Sequence, residues 1–204
     1  MTAYKALIFD LGKVIFDYSF DLAFSSWGKT GGLDREVVRK RFAFDETYGR
    51  FSKGEVTPQE YCAHVSELTG IPLSQEEFEQ GWNSIYLDIF PGINQLLKSL
   101  LKKYRLVSLT NTNSVHAKAW SVLYEEQLAL FERIFCSFEI GTRKPEKMAY
   151  NIVLEYLRLP AEETLMLDDK PGNIMGAAGA GIKGICVKST SQMKSDLENL
   201  GIKF

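Results

Sequence analysis

Four short apolar runs in this chain stop at residues that can do chemistry. AYKALIF leads into Asp10-Leu11-Gly12, and RLVSLT ends at Thr110, followed by Asn111-Thr112-Asn113. RIFCSF is followed by Gly141-Thr142-Arg143-Lys144-Pro145, and TLML ends in Asp168-Asp169. A carboxylate, a hydroxyl, an ammonium and an acidic pair are together the parts of a phosphoryl-transfer site. An aspartate such as Asp10 can attack phosphorus and split one hard displacement into two easier ones through an acyl-phosphate. Like charges repel, so it needs a cation; magnesium held by Asp10 and the Asp168-Asp169 pair would supply one. Lys144 and the hydroxyl and N–H of Thr110 would bind the phosphoryl oxygens, where charge spreads in the transition state. Asn111, next in the same loop, is a further substrate-binding candidate. Taken singly the signals are weak: an Asp after a strand is usually a turn or cap, and a lysine beside a proline is usually a solvated helix start. The acidic pair says most, because two like charges at a strand end are costly to bury without a cation.

The elements that would hold these residues follow from periodicity. The apolar runs at Ala3–Phe9, Arg105–Thr110, Arg133–Phe138, Thr164–Leu167 and Gly184–Lys188 read as strands buried on both faces. Between them Ile93, Leu96, Leu97, Leu100 and Leu101 share one helical face, as do Ala149, Ile152, Val153, Tyr156 and Leu157. Strands alternating with helices predict an α/β fold, a parallel sheet covered on both sides by crossover connections. Ligands of such sheets bind beyond the carboxyl ends of the strands, where the reactive residues stand. Residues 17–87 break the rhythm with helical candidates at Phe20–Lys29, Asp34–Phe44, Thr57–Leu68 and Ser74–Tyr86 and no convincing strand. Thr57-Pro58-Gln59-Glu60 and Ser74-Gln75-Glu76-Glu77 both carry capping-box spacing. The expected organisation is a core of residues 1–16 and 88–204 with a helical cap inserted at 17–87.

Composition narrows the setting. The 204 residues are 45% hydrophobic and 25% charged, as in ordinary globular proteins. A formal charge of −2 provides no basic footprint for nucleic acid or an anionic membrane. No apolar run is long enough to span a bilayer, no protein partner is indicated, and the N-terminus lacks the features of a secretory signal. Cys62, Cys136 and Cys186 are dispersed, which suits reduced core thiols and a cytoplasmic setting. Trp27, Trp82 and Trp120 read as packing residues.

The run FDLGKVIFD, together with Thr110, Lys144 and LDDKPGN, resembles the four motifs of the haloacid dehalogenase superfamily, in order and over nearly the whole chain. SLTNTN, GTRKPE and DDKPGNIMGA are most similar to its small bacterial sugar-phosphate phosphatases, those cleaving alpha-D-glucose 1-phosphate among them. The resemblance implies a doubly wound (Rossmann-like) core, a small C1-type cap and a magnesium-dependent phosphatase acting on a small phosphorylated metabolite. It makes Asp10 the nucleophile, Thr110 and Lys144 the phosphate-binding pair, and Asp10, Asp169 and the Gly12 carbonyl the metal ligands. Asp168 stands beside them, and Asn173 steadies their loop. One residue departs from the pattern: where most of the superfamily has an acid/base aspartate two residues after the nucleophile, this chain has Gly12. Asp17, His116 and metal-bound water are the candidate substitutes, and easily expelled leaving groups are expected. Specificity is expected from side chains near Asp45–Phe51 and Trp82–Tyr86. The alternatives are a catalytically silent sugar-phosphate-binding protein, a metal-independent 2-haloacid dehalogenase and a phosphomutase. A phosphoacceptor receiver domain fits less well, because its acidic pair comes on the first strand.

Overall fold

The computed structural model describes residues 4–204. The first strand, β1 (Ala6–Phe9), is followed by a short β2 (Phe16–Tyr18). Five helices come next: α1 (Phe20–Gly31), α2 (Arg35–Arg41), α3 (Glu46–Phe51), α4 (Pro58–Thr69) and α5 (Gln75–Asn83). The chain returns through β3 (Tyr86–Ile89) to α6 (Ile93–Leu100), β4 (Arg105–Thr110), α7 (Ser114–Leu123) and α8 (Glu125–Leu128). It then forms β5 (Arg133–Cys136), α9 (Ser137–Ile140), α10 (Lys147–Leu157), β6 (Thr164–Asp168), α11 (Pro171–Gly179), β7 (Lys183–Cys186) and α12 (Thr190–Asn199).

Five strands make one parallel sheet in the order β5-β4-β1-β6-β7. The alternation within β1 shows why it is central. Leu7 and Phe9 enter one apolar cluster with residues of α6 and α12, while Ala6 and Ile8 enter another with α10. All four are fully buried, as a strand covered on both faces requires. Successive connections leave β1 first toward β4 and later toward β6, so the strand order reverses beside β1 and opens a crevice at its carboxyl end. This is the doubly wound α/β architecture expected from the sequence. The expected first strand began at Ala3, which lies outside the described residues; the other four strands match to within two residues at each end. Arg133–Phe138 is the clearest trimming, because Ser137 turns into α9 and its hydroxyl bonds the backbone of Thr112.

The five helices after β2 gather around an apolar cluster of their own that includes Phe24, Trp27, Tyr61, Phe78 and Trp82. Both expected capping boxes, Thr57 with Glu60 and Ser74 with Glu77, are formed. The expectation of an insertion without strands is corrected at its two ends. Phe16–Tyr18 and Tyr86–Ile89 pair antiparallel as a two-stranded ribbon, with Tyr18 opposite Tyr86. Partners almost 70 residues apart leave no local periodicity to read. The expected helix at Ser74–Tyr86 accordingly ends at Asn83, and the one at Asp34–Phe44 ends at Arg41 with Phe42 extended. The six-residue α3 was not anticipated.

Candidate active site

The carboxyl ends of β1, β4 and β6 bring Asp10, Thr110 and Asp168 to one edge, and the loop before α10 delivers Lys144 between them. The Lys144 ammonium lies 3.0 Å from Asp10 Oδ1 and 2.6 Å from Asp168 Oδ2, with no exposed side-chain surface. Burial alone would pull its pKa down, but Asp10 and Asp168 outweigh this and raise it, so it stays an ammonium. Asp10 Oδ1 also accepts the Leu11 N–H at 2.8 Å. The Asp10 pKa is pushed up to about 6, chiefly by burial; Lys144 opposes the shift, and Asp168 and Asp169 reinforce it.

Asp168 and Asp169 differ in how much coordinating capacity they have left. Asp168 Oδ2 accepts from Lys144 and from Asn173 Nδ2 at 3.0 Å; Oδ1 accepts from Asn173 Nδ2 at 2.9 Å and the Lys170 N–H at 2.8 Å. Its oxygens are largely occupied. Asp169 Oδ1 is buried and has no hydrogen-bond partner among the described residues. A buried carboxylate oxygen left unpaired is costly, and burial with the neighbouring Asp168 raises its pKa. One oxygen from each of Asp10, Asp168 and Asp169 falls within 4.8 Å of the others. An all-oxygen set of this kind suits a hard divalent cation such as magnesium and does not suit zinc or copper. Asn173 holds Asp168 through both oxygens, the steadying role expected of it.

Asn111 lines the cavity, and its side chain also holds the Lys144 backbone. Its Nδ2 donates to the Lys144 carbonyl at 2.8 Å, and its Oδ1 accepts the Lys144 N–H at 2.9 Å. The amide is spent on the Lys144 backbone, so it fixes where the ammonium enters the site. Thr110 ends β4 and lines the cavity beside Asp10 and Gly12.

Neither side chain considered as a substitute proton carrier is poised for the role. Asp17 pairs with Lys13, whose hydrogen bond holds its carboxyl below the usual range, and it does not line the cavity. His116 lines the cavity but is buried with both ring nitrogens engaged: Nδ1 meets Asn113 Nδ2 at 3.2 Å, and Nε2 meets the Trp82 carbonyl at 2.9 Å. Burial pushes its pKa down to about 3, against a weaker upward pull from the Trp82 carbonyl. Stacked on Trp82 at 4.5 Å, the ring clasps α5 to α7. The space at Gly12 is instead filled by Tyr18, whose Cε1 lies 2.6 Å from where a Cβ at position 12 would stand. Burial, with Asp10 adding, keeps the Tyr18 phenol protonated well above its ordinary pKa. Sequence reasoning missed Tyr18, because the contact depends on the ribbon.

The cavity over this floor has a volume of about 410 Å³. Tyr48, Ile85 and Tyr86 line it, from the two stretches expected to govern specificity, while Trp82 lies behind them.

A doubly wound core with Asp, Thr, Lys and an acidic pair at its strand ends defines a hydrolase of the phosphoryl-transfer type. The chain belongs to the haloacid dehalogenase-like hydrolase family, whose profile matches residues 44–187. That match starts after β1, so Asp10 lies outside it and its place in the site rests on the geometry above. The chain is 24% identical over 176 residues to a D-ribitol-5-phosphate phosphatase of Bacteroides thetaiotaomicron, covering 83% of this chain and 85% of that one. It is 28% identical over 191 residues to a sesquiterpene phosphatase of Aspergillus oryzae, covering 90% of each. A crystal structure of a family enzyme from Bacteroides thetaiotaomicron, in complex with magnesium and inorganic phosphate, superposes with a TM-score of 0.79. It is 27% identical, with coverage of 92% of this chain and 96% of that one. Neither named phosphatase is a glucose 1-phosphate enzyme. Among the described residues, no helix is long and apolar enough to cross a membrane.

Proposed function

We propose that this protein is a magnesium-dependent phosphatase of small phosphomonoesters that works through an aspartyl-phosphate on Asp10. The observation that carries this reading is the unpartnered, buried Asp169 Oδ1 beside the Asp10–Lys144–Asp168 cluster, a site short of positive charge at the foot of an open cavity. Asp10, Asp169 and the Gly12 carbonyl would hold the magnesium ion, with Asp168 supporting them through Lys144 and Asn173. When bound, the ion neutralises the like charges of carboxylate and phosphate.

The chain's own residues carry the remaining work. Lys144, positioned through its backbone by Asn111, faces the phosphoryl oxygens together with Thr110. Asp10 presents a carboxylate oxygen to phosphorus; its bond to phosphorus forms as the ester P–O bond breaks, and the leaving oxygen departs with the electron pair. Water then attacks the acyl-phosphate, which returns Asp10 as a carboxylate and frees inorganic phosphate. Because neither Asp17 nor His116 is poised to protonate the departing oxygen, acidic leaving groups are favoured; a sugar 1-phosphate or an aryl phosphate meets that condition better than a sugar 6-phosphate. Residues 17–87 act as the cap, closing the cavity from above with Tyr48 and Tyr86.

The test is phosphate release from p-nitrophenyl phosphate with magnesium, with excess EDTA, and in the Asp10→Asn variant. Turnover that needs magnesium and is lost on Asp10→Asn is the expected result. Turnover indifferent to EDTA, or within tenfold of wild type in Asp10→Asn, would sink the reading. No turnover by wild type would favour a silent binding protein.

A further inference from the structure

Above the carboxylates the cavity is walled by aromatic rings. Tyr18 and Tyr86 come from the ribbon, Phe20 from α1, Phe44 from the α2–α3 loop and Tyr48 from α3. Four of them, Tyr18, Phe20, Phe44 and Tyr48, form a continuous chain of edge-on pairs. Centroids are 5.6 Å apart for Tyr18–Phe20, 4.8 Å for Phe20–Phe44 and 4.8 Å for Phe44–Tyr48. Phe44 stands at the rim with 52% of its surface exposed, where an entering ring could stack on it.

The polar lining gathers on the core side of the cavity, at Asp10, Thr110, Asn111, Thr112, Lys170 and Asn173. Asp10, on the floor, is the one carboxylate lining the cavity among the described residues. The upper wall offers tyrosine hydroxyls and Arg143, whose guanidinium lies over the Tyr48 ring at 5.7 Å. A hydroxyl turned toward the ring chain itself would exchange water for an apolar face, which counts against binding there. A flat apolar ring would lose nothing and gain edge-on and stacked contacts. The reactive end agrees: with Tyr18 where an acid would stand, the site suits an oxygen that leaves readily, and a phenol is more acidic than an alkanol.

We propose that the cap-side wall from Tyr18 to Phe44 is a leaving-group subsite for phosphomonoesters of planar aromatic groups. The inference rests on the phosphatase reading above. In the aryl case, the Asp10 oxygen–phosphorus bond forms as the aryl oxygen–phosphorus bond breaks; the phenoxide departs with the electron pair and takes its proton from solvent.

The experiment must separate ring recognition from leaving-group acidity. Benzyl phosphate and butyl phosphate are both esters of primary alcohols and differ mainly in the ring. Phenylphosphonate and methylphosphonate, which cannot be hydrolysed, report on binding as competitive inhibitors of p-nitrophenyl phosphate turnover. With magnesium present, wild type should prefer benzyl to butyl phosphate by about tenfold in kcat/KM, and phenylphosphonate should have a Ki about tenfold lower than methylphosphonate. Phe44→Ala removes an exposed ring and should narrow both ratios by about fivefold. Magnesium-dependent turnover with both ratios near one, or glucose 1-phosphate matching benzyl phosphate, would overturn the aromatic subsite and leave the phosphatase reading standing. Absence of any Asp10-dependent turnover would overturn both.

Discussion

Restoring an acid at position 12 looks, from sequence, like the direct way to help poor leaving groups. The structure says that Gly12→Asp will not work alone. A Cβ there falls 2.6 Å from Tyr18 Cε1 and 3.1 Å from Cδ1, where ordinary contact begins at 3.4 Å, so the ring must retreat by about 0.8 Å. It has little freedom to do so, being packed edge-on against Phe20 at 5.6 Å and lying beneath the Lys13 ammonium at 5.0 Å. Overpacking of this sort costs about 1–3 kcal/mol. Gly12→Asp should therefore lose stability by about that amount in urea denaturation and gain no more than a few-fold on butyl phosphate. Adding Tyr18→Val puts a strand-favouring β-branched residue in the ribbon and frees the space. The double variant should recover the lost stability and hydrolyse butyl phosphate about 100-fold faster than wild type, the low end of what a positioned general acid contributes. Its gain on p-nitrophenyl phosphate should be under about tenfold, because that leaving group needs little protonation. A single Gly12→Asp variant as stable as wild type and about 100-fold faster on butyl phosphate would refute the steric argument.

Other substitutions probe the remaining parts. Asp10→Asn should lower turnover by about 10³ or more with no loss of thermal stability, since it relieves a buried charge already pushed up to about 6 by burial. Lys144→Met should lower kcat/KM by about 10²–10³. It should also destabilise the fold by roughly 3–5 kcal/mol, because Asp10 and Asp168 lose their buried partner; magnesium should restore part of that, and an unchanged melting curve would contradict the burial argument. Asp169→Asn should raise the magnesium concentration for half-maximal activity at least about tenfold, read by metal titration. His116, with its pKa depressed to about 3 by burial, stays neutral in the folded chain while the unfolded chain takes up a proton below about 6.5. Its contribution to stability is complete above that value and falls with acidification by about 1.4 kcal/mol per pH unit down to about 3. The difference between wild type and His116→Gln in urea denaturation should therefore shrink by about 2 kcal/mol between pH 7 and 5; a constant difference would mean that the ring is not held neutral.

The parts of this site that sequence could reveal are those carried by continuous runs. β4 is legible because RLVSLT is an apolar stretch with one meaning, and Thr110 follows from its end. The capping boxes at Thr57 and Ser74 are local, four residues long, and were formed as expected. What stayed hidden depends on residues far apart in the chain. The ribbon pairs Phe16 with Ile89, and the Asn111 amide meets a lysine backbone 33 residues away. Tyr18 could not be placed against Gly12 without the ribbon, so the missing aspartate read as a simple loss when its space is in fact occupied. α3 escaped because six residues containing Gly49 show too little periodicity, yet it carries Tyr48 to the cavity. His116 was ambiguous for another reason: proximity to the TNTN loop is visible in sequence, but the two hydrogen bonds that occupy its ring are not.

The charge balance of the cluster ties these observations to the metal. Asp10, Asp168 and Asp169 converge within 4.8 Å, and among the described residues Lys144 is the buried ammonium that pairs with Asp10 and Asp168. Three carboxylates against one ammonium leave two negative charges uncompensated, before a phosphate brings its own. The strain appears where it should: Asp10 and Asp169 are both raised, with burial as the main cause and neighbouring carboxylates adding to it. Asp168 shares its oxygens among Lys144, Lys170 and Asn173, whereas Asp169 keeps one buried oxygen unpaired. A second lysine could relieve the repulsion, but it would present a single point charge and could not bring carboxylate and phosphate oxygens onto one centre. A hard dication would do both, offsetting the excess negative charge and giving the unpaired oxygen a partner. The same excess of negative charge that makes the carboxylates repel one another is what would make the cluster selective for magnesium over a monovalent ion.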